Sequence, residues 1–120
     1  MVKKVLYKKL YVYGPFNISD VVLINILEAL AKISAKSSLT SYHVGDKIEY
    51  FFDDIQLNIE ALNTNVSDNI LRFSIKYISH DFIIQKWWIS FPKEFNLENF
   101  ITIYKINPEK AKENICFIYE

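Results

Sequence analysis

The spacing of apolar residues switches from a helical period to a strand period after about Lys36, and that change restricts the fold more than any other feature. From Asp20 to about Lys36, the residues Val22, Leu23, Ile26, Leu27, Leu30 and Ile33 recur at the three-and-four spacing of one helix face. Asn25, Glu28, Lys32 and Lys36 keep the same spacing on a separate polar stripe, with Glu28 and Lys32 placed as a favourable i,i+4 pair. Asn17 or Ser19 supplies the cap, and Asp20 stands where the positive end of a helix favours a carboxylate. So wide an apolar face has to be buried against a second layer.

From Leu39 onward the period is two. Leu39–Val44 and Lys47–Phe52 flank Gly45-Asp46, a pair suited to a two-residue hairpin turn. Ile55, Leu57, Ile59 and Ala61 then alternate with Gln56, Asn58 and Glu60, and Asn63–Asn69 is rich in turn formers. Leu71, Phe73, Ile75 and Tyr77 alternate with Arg72, Ser74 and Lys76, after which Ser79-His80-Asp81 turns the chain into Phe82–Phe91. At the N-terminal side, residues 2–13 read as a strand that stops at Gly14-Pro15, and Lys8 and Lys9 interrupt both of its faces in the way that blunts an edge strand. Beyond Pro92, Asn96 caps a short helix carrying Leu97, Phe100, Ile101 and Tyr104, although Phe100–Ile106 would also serve as a strand. Asn107-Pro108 opens a second short helix to about Asn114, and Ile115–Tyr119 is an apolar terminal strand. The expected fold is α+β, a mostly antiparallel sheet of about five to seven strands with one long N-terminal-half helix on one face and short helical segments near the C-terminus. The expected domain is single, spanning residues 1–120.

With 51% apolar and 23% charged residues, the chain has the makings of a packed core and lies far from the composition of disordered proteins. Fourteen basic residues balance fourteen acidic ones, so no global field draws the protein to nucleic acid or to an anionic membrane. The signs are segregated, however. Residues 1–13 carry Lys3, Lys4, Lys8 and Lys9 with no acid, whereas residues 46–68 carry Asp46, Glu49, Asp53, Asp54, Glu60 and Asp68 against Lys47 alone. Val21–Ala35 is broken by Asn25, Glu28 and Lys32 and falls short of the ~20 apolar residues that span a bilayer, so no membrane partner is expected. A lone cysteine, Cys116, excludes an internal disulfide, and together with the absence of a signal-peptide pattern it points to the cytoplasm. A single arginine, Arg72, among many lysines, isoleucines and asparagines suits an AT-rich genome and says nothing of function.

The residues that carry chemistry are sparse. Metal sites gather several His, Cys or carboxylate ligands at short spacings, and His43, His80 and Cys116 stand alone, the histidines as structural or solvated groups and the cysteine as a small core residue. Phosphate loops need clustered glycines, and Gly14 and Gly45 are the only two. Asp53-Asp54 with Glu49 is the only local carboxylate cluster, and it reads as a solvated turn or helix start before it reads as an acid–base pair. His80-Asp81 lacks a serine elbow. No catalytic residue, cofactor or metal is expected.

Trp87-Trp88 is the most informative pair. Neighbours on a strand point to opposite faces, so if Trp87 joins Ile83, Ile89 and Phe91 in the core, Trp88 lies on the other face beside Lys86. Either the C-terminal helical segment covers that face or Trp88 is exposed on it. In the second case Trp88, Lys86, Arg72 and Phe51 share the composition of an interaction surface, with Asp53 and Asp54 as a second surface for a basic partner or a second copy of the chain. The function expected on these grounds is a non-enzymatic protein-binding module of inhibitor, immunity or adaptor type, with homo-oligomer formation as an additional expectation. One alternative is a nucleic-acid binder in which Tyr7, Tyr11 and Tyr13 stack on bases while Lys3, Lys4, Lys8 and Lys9 follow phosphates. The other is a small-molecule-binding or small enzymatic domain with a pocket between helix and sheet, where Glu49, His43, Asp53 or Tyr50 would act.

Overall fold

The computed structural model describes residues 9–15, 17–37, 47–62, 70–80, 82–92 and 94–119. Among these residues, six strands and three helices follow one another as β1 (Leu10–Gly14), α1 (Asp20–Ser37), β2 (Lys47–Phe52), β3 (Ile55–Ala61), β4 (Ile70–Ser79), β5 (Phe82–Pro92), α2 (Leu97–Ile106), α3 (Pro108–Lys112) and β6 (Ile115–Tyr119). The strands form one sheet in the order β2-β3-β4-β5-β1-β6. Every pairing is antiparallel except that of β1 with β6. The α+β reading therefore holds, with a sheet of six strands and three helices. None of the helices among the described residues is long and apolar enough to cross a membrane.

Local chemistry accounts for most of these boundaries. Ser19 caps α1, its hydroxyl accepting from the Val22 amide at 3.3 Å and its carbonyl from Leu23 at 2.9 Å. Asn96 accepts from the Asn99 amide to start α2, and Asn107 accepts from Lys110 to start α3, with Pro108 pre-set at its first turn. The two hairpin turns take a left-handed residue each, Asp53 with φ of 51° between β2 and β3 and His80 with φ of 54° between β4 and β5. Such conformations suit short polar side chains that bond locally. The expected strand Leu39–Val44 with its Gly45-Asp46 turn, and the Asn63–Asn69 segment, lie outside the described residues, as does most of the expected residue 2–13 strand.

The expected edge position of the first strand is corrected. The first strand is no edge: β1 lies between β5 and β6, with Tyr11, Val12 and Tyr13 opposite Ser90, Ile89 and Trp88 on one side and Cys116, Phe117 and Ile118 on the other. The described part of the strand begins after the lysine pairs, at Leu10, so their interruption of the pattern does not bear on its pairing. Among the strands described, β2 and β6 close the two ends.

All three helices gather on one side of the sheet. Leu23, Ile26, Leu27 and Leu30 of α1 are fully buried against Leu10, Val12, Leu57, Ile59, Ile75 and Ile89 of the sheet. A line of ring contacts then ties α2 to the same core, running from Phe73 and Phe91 through Phe95 to Phe100 and Tyr104. The polar stripe of α1 is only partly solvated. Glu28 forms an ion pair with Lys105 of α2 and accepts from the Tyr50 hydroxyl, while the Lys32 ammonium lies 4.7 Å from the centre of the Tyr50 ring. The expected Glu28–Lys32 pair is thus replaced by contacts between elements, because β2 and α2 flank the stripe on its two sides.

Candidate functional site on the outer face of the sheet

The strand pleat decides what the helix-free face carries. Odd residues of β3 and β4 and of the central part of β5 point inward, so the even ones point away from the helices. Cross-strand register sorts the outer side chains into rows. One row runs Glu49, Asn58, Lys76, Lys86, and the next runs Lys47, Glu60, Ser74, Trp88, Tyr13, Ile118. A third places Arg72 beside Ser90, Tyr11 and Cys116.

Trp87 is 1% exposed and packs edge-on to Tyr77 at 6.0 Å, and the Gly14 backbone approaches its ring so closely that a Cβ there would fall 2.1 Å from Cδ1. Trp88 is half-buried on the opposite face. Neither expected alternative for it holds in full. The C-terminal helices pack on the α1 side and do not cover it. Instead Tyr13 meets its ring edge-on at 5.5 Å and the Lys86 ammonium stands 5.1 Å from its centre. Arg72 lies on the same face one row on, with its guanidinium 3.5 Å from the Ile70 carbonyl.

Phe51 also faces outward and is 65% exposed, but it belongs to a different neighbourhood. Three strand spacings and four residues separate it from Trp88, roughly 20 Å on sheet geometry. It shares the hairpin end of the sheet with Gln56 and Ile78 in its own row. Asp53 and Asp54 form the adjoining turn, both exposed. The site residues expected from sequence therefore divide into Arg72, Lys86 and Trp88 at the centre of the face and Phe51, Asp53 and Asp54 at one corner.

Tyr11 and Tyr13, which belonged to the nucleic-acid alternative, come down on the same surface as Trp88. Their neighbours Lys3, Lys4, Tyr7 and Lys8 lie outside the described residues, as does His43. Cys116 is corrected from a core residue to a half-buried one on the outer face, since Ile115 and Phe117 take the inward positions of β6.

A depression of about 120 Å³ crosses β2, β3 and β4 on this face, lined by the polar side chains of Lys47, Glu49, Asn58, Glu60, Ser74 and Lys76. It lies on the far side of the sheet from the helices, and not between helix and sheet where the pocket alternative would place one. Ser74 is 6% exposed, and its hydroxyl has no hydrogen-bond partner among the described residues. Ser74 and Lys76 escaped the sequence reading as site residues, although their even positions on the strand that carries Arg72 place them on its face.

A second polar cluster ties the helices together. The Tyr104 hydroxyl donates to Asp20 at 2.7 Å, and Lys112 reaches the same carboxylate at 3.1 Å. The Tyr104 bond, followed by Lys112, holds the Asp20 carboxyl below its usual range, while burial and then Asp20 push the Tyr104 phenol up. Tyr104 is 1% exposed, so this cluster joins α1, α2 and α3 instead of offering an open site. Tyr50, named for the pocket alternative, has its phenol pushed up by burial and by Glu28, and its hydroxyl is engaged with that residue. Among the described residues no group of three or more His, Cys, Asp or Glu side chains converges as a metal site would require. No protein-family model, curated protein or solved structure matches this chain.

Proposed function

We propose that the chain is a non-enzymatic protein-binding module of inhibitor, immunity or adaptor type, and that it binds through the outer face of its sheet. The observation that carries this reading is Trp88, a large aromatic held half-exposed between Tyr13 and Lys86 at the centre of a face that no described helix covers. Tryptophan, tyrosine and arginine are the residues that concentrate binding energy when a partner excludes water from them, and here they stand on adjacent rows of a rigid sheet. Side chains fixed by pleat and ring contacts lose little further entropy on docking. Capture experiments with tagged wild-type and Trp88→Ala protein test the reading. A partner protein retained in stoichiometric amount by the wild type, after nuclease treatment, should be lost with the variant while its thermal unfolding stays cooperative. Equal retention by both proteins would refute a role for this face.

A second reading draws on Tyr11 and Tyr13 being carried to the same face as Trp88, Lys76 and Lys86, an arrangement in which bases could stack on rings beside cations. The balanced overall charge favours the protein partner. Oligonucleotide retention that falls steeply with salt would reverse that order.

A further inference from the structure

The outer face is divided by charge. Among the described residues, β4 and β5 present Arg72, Lys76 and Lys86 outward and no acid, whereas β2 and β3 present Glu49 and Glu60 with Lys47, and their turn adds Asp53 and Asp54. Lys76 and Lys86 stand directly opposite one another across the strand pair, an arrangement that is unfavourable unless an anion arrives from outside. No ion pair joins Lys47, Glu49, Glu60, Lys76 and Lys86 to one another. The buried Ser74 hydroxyl, without a hydrogen-bond partner among the described residues, lies at the seam between the acidic and basic halves.

We propose that the occupant of this face is a second copy of the same chain, docked face to face about a two-fold axis that runs along the strands between β3 and β4. The inference rests on the protein-binding reading and names the partner. A two-fold contact needs a patch that is its own complement, and a face split into acidic and basic halves is one. Rotation about that axis keeps each row in register while exchanging strands, so β2 lies over the partner's β5 and β3 over the partner's β4. Glu49 then meets Lys86 of the second copy, Glu60 meets the Ser74 hydroxyl, and Lys47 lies over the Trp88 ring. Each arrangement occurs twice. The absence of net charge removes the long-range repulsion that would oppose self-association. Four strands about 4.8 Å apart and about seven residues long cover roughly 440 Å² of flat sheet per copy, which puts the contact at the small, reversible end of specific interfaces.

Sedimentation velocity over about 10 µM to 1 mM tests the proposal, since a contact of this size is expected to associate within that range. The weight-average mass should rise toward twice that of the monomer, and added salt should oppose the rise. Lys86→Glu and Glu49→Lys should each weaken association by roughly tenfold or more, because each sets like charges together twice. Mixing the two variants should restore it, since K86E and E49K proteins place opposite charges together at both contacts of the mixed pair. A wild type that stays monomeric up to about 1 mM overturns the proposal, as does a dimer indifferent to both substitutions. Either result leaves the Trp88-dependent capture of a different protein as a separate test of the broader reading.

Discussion

Trp87 and Trp88 are neighbours of the same residue type with nearly opposite surroundings. Trp87 is sealed between the Gly14 backbone and Tyr77 beneath the helices, while Trp88 stands on the face that no described helix covers, with Tyr13 at its edge and Lys86 over its ring. The strand pleat alone separates them, but it does not decide which face becomes core. That is settled by where α1 and α2 place their apolar stripes, Leu23, Ile26, Leu27 and Leu30 on one helix and Phe100, Ile101 and Tyr104 on the other. The same residue type is therefore sealed in the core on one face and left partly exposed on the other.

Truncating each ring in turn gives the largest contrast. Trp87→Ala removes a fully buried ring and should cost about 3 to 5 kcal/mol. In a thermal melt that is a fall in Tm of roughly 10 to 20 °C for a domain of this size. Trp88→Ala, which leaves no buried cavity, should lower Tm by a small fraction of that amount. Comparable losses at the two positions would show that the outer face is packed as tightly as the inner one and would undo the distinction drawn between them.

The inner face can be disturbed without touching either ring. Gly14→Ala sets a methyl 2.1 Å from Trp87 Cδ1, so the indole or the β1 backbone has to shift. Overpacking of this kind costs about 1 to 3 kcal/mol, readable as a lower denaturant midpoint at unchanged slope. The double variant with Trp87→Phe should show less than the sum of the two single losses, because the smaller ring makes room for the methyl. Strict additivity would mean that the strain arises elsewhere.

The division between the faces was legible in the sequence because it rests on local periodicity. Alternation in Leu71–Tyr77 placed Arg72 outward, and the adjacent tryptophans could not share a face. Helix starts were legible for the same reason, since Asn96 and Asn107 bond to residues three positions on. What could not be read was anything fixed by contacts between distant segments. Insertion of β1 between β5 and β6, with a parallel β1–β6 pair, depends on which edges meet after collapse, and no repeat in the sequence encodes it. Asp20 was read as a favourable charge at a helix start, yet its partners Tyr104 and Lys112 lie 84 and 92 residues away. The site was legible in its parts and not in its assembly. Phe51 shares the face with Trp88, but only the strand order shows that β3 and β4 stand between them.

The Asp20 cluster gives a finer test, because it holds the helices to one another while the apolar residues hold them to the sheet. Tyr104→Phe keeps the ring and removes the hydroxyl that donates to Asp20. The loss of one hydrogen bond to a charged group should cost about 1 to 2 kcal/mol near neutral pH. Its pH dependence separates this bond from packing. The Asp20 carboxyl is held low in the folded state, chiefly by the Tyr104 bond, so its contribution is present above the ordinary carboxylate pKa of about 3.9 and is lost as pH falls through the lower native value. The Tyr104 phenol is shifted the other way, by burial and then by Asp20, so the wild type loses stability as pH rises past about 10, where the unfolded phenol ionises and the native one does not. The Tm gap between wild type and Tyr104→Phe should accordingly be widest between about pH 4 and pH 10 and close toward both limits. A gap that stays constant with pH would assign the loss to packing around the ring, leaving the apolar stripes alone to hold the helices in place.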